Sequence, residues 1–199
     1  MATDGPGLLP PPSARLRFRR FEATDVPDIL ATFNNPEAQR FFGLLDEAKA
    51  RDMIARQHAR YERDGFGFWM LELRETGEHV GDCGFSMQEF DSSDPADGPG
   101  PFPEVGYHLR PEHRGKGYAA EAAGHTLAWA FEATAFDRIW SFVHNENAGS
   151  IRVAERIHTR RGPAGEKMET VIRSYFTLRE DFASGMPTIR ALADGSVPR

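Results

Sequence analysis

A single cysteine, Cys83, in 199 residues excludes an internal disulfide framework and any zinc site built from several thiolates. Seven histidines are present, but they are scattered without ligand spacing, so no metal is expected. Long apolar runs are also missing: no window approaches the ~18 consecutive residues that a membrane span requires. The first residues carry Asp4 and a proline-rich stretch where a secretory leader has a basic and then an apolar segment, so the cytoplasm is the expected compartment. Positive charge is not in excess. The 24 Lys and Arg against 30 Asp and Glu give a net charge of −6, which argues against nucleic acid as a partner. Lysine is scarce among the basic residues, occurring only at Lys49, Lys116 and Lys167, so where it stands matters.

What is present is the material of one globular domain, 40% hydrophobic and 27% charged. Residues 1–14, with Pro10, Pro11 and Pro12, read as a disordered lead-in, residues 15–182 as the domain, and residues 183–199 as a mobile tail. Leu16 and Phe18 alternate with arginines, a strand pattern. Thr24-Asp25 predicts the start of a helix running to Phe33, which Asn34-Asn35-Pro36 breaks. Ala50, Met53, Ile54, Gln57 and Tyr61 share one face of a helix over 47–64. Alternation then predicts a hairpin over 66–85, containing Cys83 as a core thiol. Residues 91–103 form a Gly/Pro/Asp-rich loop, either a substrate-side flap or an insertion. Beyond it come a strand over 104–109, a helix over 118–133, a strand over 139–143, a short helix capped by Asn147, and a last strand over 171–178. Trp69, Trp129 and Trp140 read as core, and His108 as structural. The mixed order of elements gives an α+β class.

The stretch from Glu104 to Ala122 is the most informative. It is a strand, then a loop with Gly115 and Gly117 among Arg110, His113, Arg114 and Lys116, then a helix start. Helix N-termini present N–H groups without internal acceptors at the positive end of the dipole, and glycine removes the Cβ that would hold a phosphate away. This predicts a phosphate cradle. A P-loop is excluded, because Lys116 is followed by Gly117 where Ser or Thr must reach magnesium. Gly115 to Ala120 fits G-x-G-x-x-A, with Asp137 about 20 residues on, as a dinucleotide-binding loop does. The context disagrees, since the glycines lie well beyond the strand and behind Arg110-Pro111.

Arg114-Gly115-Lys116-Gly117-Tyr118-Ala119 resembles motif A of the GNAT superfamily of acetyl-CoA-dependent N-acetyltransferases, R/Q-x-x-G-x-G/A. The resemblance runs from about Leu16 to Phe182 and looks most like the RimJ/RimL branch, which acetylates ribosomal-protein N-termini. It is carried by Leu16-Arg17, Asn34-Asn35-Pro36-Glu37, Val80-Gly81, the run Glu104 to Leu109, Gly117-Tyr118-Ala119 with Glu121-Ala122, Asn147 to Ser150, and Leu178 to Phe182. It departs at Ile157-His158-Thr159, where the family usually has Leu-Gly-Phe. The resemblance implies a central mixed, mostly antiparallel twisted sheet flanked by helices on both faces. It also implies acetyl-CoA as cosubstrate, with the Tyr107 and Leu109 backbone along the pantetheine, Arg114, Gly115, Lys116, Gly117, Tyr118 and Ala119 around the pyrophosphate, and Asn147 at the pantetheine or acetyl end. The strand over 107–109 is expected to splay from the strand over 139–143.

Acetyl transfer from a thioester to an amine needs a neutral amine and a proton for the leaving thiolate. Glu104 could take the amine's proton or be a surface carboxylate at a strand end, and Ser150 could meet the thiolate or only cap its helix. Glu169 is a third candidate, for binding the amine. The expected function is therefore an acetyl-CoA:amine N-acetyltransferase acting in a ternary complex, with a protein N-terminus among its acceptors and a homodimer among the assemblies allowed. A non-catalytic acyl-CoA-binding or sensing module would keep the cradle without needing Glu104 or Ser150. Neither reading involves nucleic acid or a membrane.

Overall fold

The computed structural model describes residues 9–92, 100–167 and 170–193. The backbone divides into two compact units, one of residues 1–86 with 107–126 and one of residues 87–106 with 127–199. Its class is α+β, a mixed and mostly antiparallel sheet system with helices, as expected.

In the first unit, strands β1 (Leu16–Arg19), β2 (Phe68–Leu73) and β3 (His79–Gln88) form an antiparallel meander, with Phe18 opposite Leu71 and Met70 opposite Asp82. The end of β5 (Phe102–Leu109) follows β3 in the strand order. Gly81, at φ 150°, permits that approach: a Cβ there would run into the His108 carbonyl. Helix α1 (Val26–Phe33) and helix α3 (Glu47–Asp64) bury their apolar faces with β2, joining Phe21, Val26, Ile29 and Phe33 to Ala50, Ile54 and Met70. Each large aliphatic or aromatic side chain removed from water there contributes about 1.5–3 kcal/mol. Asp46 Oδ1 accepts the Lys49 N–H at 2.8 Å to open α3, and Gly65 closes it in the left-handed conformation.

Asn34-Asn35-Pro36 does more than end α1. Asn35 Oδ1 accepts the Ala38 N–H at 3.1 Å, and Pro36 begins a further helix, α2 (Pro36–Phe42). Proline suits that first position because its missing N–H would have no helical acceptor there. The lead-in also departs from expectation over its described residues. Ser13 Oγ donates to Glu121 at 2.8 Å, and the His125 ring nitrogen lies 2.7 Å from the Pro11 carbonyl. Both partners stand on α4 (Tyr118–Ala133).

In the second unit the strand order is β5, β6 (Arg138–His144), β8 (Thr170–Leu178), β7 (Arg160–Lys167) and β4 (Asp91–Ser92). β5–β6 is parallel, with Glu104 opposite Trp140, while β6–β8, β7–β8 and β4–β7 are antiparallel. Phe90, Phe102, Trp140, Ile172, Phe142 and Phe176 form one cluster, so the expected 91–103 loop ends inside β5, on a buried Phe102. Its acidic residues Asp94 and Asp97 lie outside the described residues. β7 was not predicted; its ladder with β8 shifts register between Arg161 and Ala164, around Gly162-Pro163.

Helix α5 (Ala148–Ile157) and helix α7 (Ile189–Ala193) pack on each other, and the Ile189 N–H donates to the His158 carbonyl at 2.9 Å. Part of the expected tail is thus helical and held. Between them, α6 (Arg179–Ala183) presents Asp181, which accepts two bonds of 2.7 Å from Arg160, and Arg179, which reaches the last carbonyls of α4. Trp69, Trp129 and Trp140 are buried as expected. Cys83 is fully buried too, and burial pushes its thiol up to about 12, so it is core and not a nucleophile. No helix among the described residues is long and apolar enough to cross a membrane.

Candidate active site

After Leu109 the chain makes a short turn over Pro111–His113, runs extended through Arg114, and enters α4 at Tyr118. Gly115 and Gly117 have φ of 74° and 83°, a region that side-chain-bearing residues enter only at a cost. A Cβ at Gly115 would meet nothing within 4 Å, and one at Gly117 only Arg15 Nη2 at 3.5 Å. Open space in front of two left-handed glycines, at the N–H-rich end of a sixteen-residue helix, fits a pyrophosphate.

The cations of this loop divide their work. Arg114 donates to Glu37 Oε2 at 2.6 Å and to the Leu109 carbonyl at 3.2 Å, tying the loop to the first turn of α2. Arg15 is a residue that sequence reasoning missed. Its backbone N–H and Nε donate to Glu121 at 2.7 and 2.6 Å, its Nη1 donates to the Lys116 carbonyl at 3.1 Å, and its guanidinium lies 4.4 Å above the Tyr118 ring. Burial works against ionisation of Glu121, but the Arg15 and Ser13 hydrogen bonds outweigh it and hold the carboxyl below its usual range. The only sequence signal was the pairing of a charged residue before β1 with a glutamate one turn into α4, which spacing alone does not reveal.

On β5, Tyr107 is half-buried and Leu109 buried. His108, between them, directs Nδ1 to Asp82 Oδ1 at 2.7 Å. Tyr107, Leu109 and residues 114–119 are thus brought together in the first unit.

The second unit holds Glu104, Asn147 and Ser150. Glu104 Oε1 accepts the Phe142 N–H at 3.1 Å, and Ser141 Oγ donates to the Val105 carbonyl at 2.7 Å. Side chains therefore supply partners along the β5–β6 seam next to its Glu104–Trp140 pair. Asn147 Oδ1 accepts the Ser150 N–H at 3.0 Å and caps α5. Glu169 lies outside the described residues. No group of three or more metal-ligating side chains occurs among the described residues.

The antiparallel ladders overturn the dinucleotide-binding alternative, which requires a doubly wound parallel sheet. Residues 15–160 match the acetyltransferase (GNAT) domain family, and the chain belongs to that family. Acetyl transfer from acetyl-CoA is the chemistry of this class. The uncharacterized Bacillus subtilis protein YkkB is 30% identical over 145 residues, covering 72% of this chain and 80% of its own. A crystal structure of an Agrobacterium tumefaciens acetyltransferase shares 29% identity at a TM-score of 0.67, covering 82% of this chain and 91% of that one. At 16% identity and a TM-score of 0.66, the fold is shared with a Salmonella typhimurium acetyltransferase that modifies the N-terminal serine of ribosomal protein L7/L12, over 83% of this chain and 96% of that one.

Proposed function

We propose that the protein transfers the acetyl group of acetyl-CoA directly to a primary amine within a ternary complex. The observation that carries this reading is the open space before Gly115 and Gly117 at the start of α4, with Lys116 and Arg15 beside it. The N–H groups of residues 115–119 hold the pyrophosphate, Arg114 contributes charge while anchored to Glu37, and the backbone of Tyr107 and Leu109 lies along the pantetheine. Asn147 meets the pantetheine or acetyl end through its amide nitrogen, since its oxygen caps α5. Ser150 hydrogen-bonds the departing thiolate. Glu104, whose Oε1 is engaged by the Phe142 N–H, assists deprotonation of the amine through water by placing its negative charge near the ammonium.

A protein N-terminus is the acceptor class of this reading, as in the RimJ/RimL branch, and the fold shared with the Salmonella enzyme supports it. The test is incubation with acetyl-CoA and three probe amines, a peptide with N-terminal serine, spermidine and phenethylamine, following free thiol and acetylated amine together. Equimolar production of both supports the reading. Binding of acetyl-CoA without turnover of any amine would instead favour the non-catalytic module.

A further inference from the structure

β5 turns a second functional group away from Tyr107 and Leu109, because side chains alternate along a strand. His108 stands there with Nδ1 2.7 Å from Asp82 Oδ1, and Asp82 is only 3% exposed. A carboxylate withdrawn from water is costly to keep charged unless it is hydrogen-bonded, and packing a histidine against phenylalanines does not require one. The rings of Phe33, Phe42 and Phe68 surround the imidazole at centroid distances of 4.8, 4.9 and 5.8 Å. Water is thereby kept from much of the ring, yet 24% of the side chain stays exposed, and Phe42 is itself half-exposed at the end of α2. With Asp82 accepting the Nδ1–H, the lone pair falls on Nε2, which makes no hydrogen bond among the described residues. An oriented imidazole with its basic nitrogen unengaged and a buried carboxylate behind it is the arrangement of a general base.

We infer that His108 Nε2 is the group that takes the proton from the acceptor ammonium directly, with Asp82 as its positioning residue. This deepens the acetyl-transfer reading and rests on it. The ammonium N–H bond breaks and its proton passes to Nε2, which leaves a neutral amine and an imidazolium beside the Asp82 carboxylate. The amine nitrogen then bonds to the acetyl carbon and the C–S bond breaks. The second amine proton goes to the thiolate, giving the acetylated amine and CoA thiol, and the imidazolium returns its proton to solvent. Residues 107–109 at the end of β5 belong to the same unit as the cradle, so the base and the Tyr107–Leu109 edge proposed to line the pantetheine lie on one strand segment.

The experiment compares wild type, His108→Gln and Asp82→Asn, using acetyl-CoA and the three probe amines above, with acetyl-CoA Kd and Tm measured for each protein. Expected is a fall in kcat of about 10²–10⁴ for His108→Gln at pH 7 with Kd within about twofold, and recovery toward wild type as pH rises and hydroxide deprotonates the amine. Asp82→Asn should lower kcat by a smaller factor and move the pH profile, which a loss of packing alone would not do. A folded His108→Gln protein with wild-type kcat from pH 6 to 9 overturns the inference while leaving the acetyl-transfer reading intact. Absence of turnover by the wild type with every probe overturns that reading and the inference with it.

Discussion

His158 Nε2 lies 3.0 Å from Ser141 Oγ, and because that hydroxyl donates onward to the Val105 carbonyl, it can only accept from the ring. Burial keeps the imidazole neutral, so with its proton on Nε2 the other nitrogen, Nδ1, accepts from Thr177 Oγ1 at 3.1 Å. Three elements, α5, β6 and β8, meet on this one fully buried side chain. Burial pushes its pKa down to about 3.

That depression sets a pH dependence of stability. A group whose folded pKa lies below its unfolded value stabilises fully above the unfolded value, and the contribution is lost as pH falls toward the folded one. For His158 the window runs from about 6.5 down to about 3, starting above the carboxylate range. Buried His79 is depressed by burial with the same sign. Denaturant unfolding between pH 6.5 and 5.5 should show a loss of about 1 kcal/mol or more in the wild type. His158→Gln should lower stability at pH 7 by about 2–4 kcal/mol and flatten this dependence. An equally steep slope in the variant would remove His158 from the account.

Arg179 closes helix α4. Its guanidinium donates to the Phe131 carbonyl in the last turn, which the helix leaves without an internal partner, and to the Thr134 and Phe136 carbonyls just beyond it. Arg179→Met keeps much of the aliphatic stem and removes every donor. Thermal unfolding should report a loss of about 1–3 kcal/mol, with acetyl-CoA affinity little changed.

The opposite end of α4 is braced by Arg15 and Glu121. Arg15→Gln should weaken acetyl-CoA binding several-fold, because it frees the Lys116 carbonyl and uncovers the Tyr118 ring beside the cradle. The same change should make affinity less sensitive to salt if the guanidinium faces the phosphates. Isothermal titration at low and high salt reads both effects, and an unchanged affinity would confine Arg15 to holding the lead-in.

Glu104→Gln retains an oxygen for the Phe142 N–H and removes the negative charge. With Glu104 assisting only through water, kcat should drop by about tenfold, less than for His108→Gln, and Tm should hold. A Glu104→Gln loss larger than that of His108→Gln would make the carboxylate the principal base.

Much of this was legible along the chain. The helix over 47–64 follows from Ala50, Ile54, Gln57 and Tyr61 recurring at the helical period, and the turn into α4 from two glycines before a helix start. Local signals failed where one residue does two jobs. Asn34-Asn35-Pro36 ends one helix and begins another, and Gly162-Pro163 sits inside a strand at a register shift. Long-range pairs such as Arg15 with Glu121 and His108 with Asp82 have no sequence period at all, since only the folded sheet brings them together.

The central claim is that the two-glycine turn holds the pyrophosphate of acetyl-CoA. Its most direct test is calorimetric titration of acetyl-CoA into the wild type and into Gly117→Val. A branched side chain at φ 83° fills the open space and strains the turn, by about 1–3 kcal/mol. The account predicts saturable 1:1 binding to the wild type and a Kd raised at least about tenfold, or 1.4 kcal/mol, in a variant that still unfolds cooperatively. Equal affinity for wild type and folded variant would contradict it.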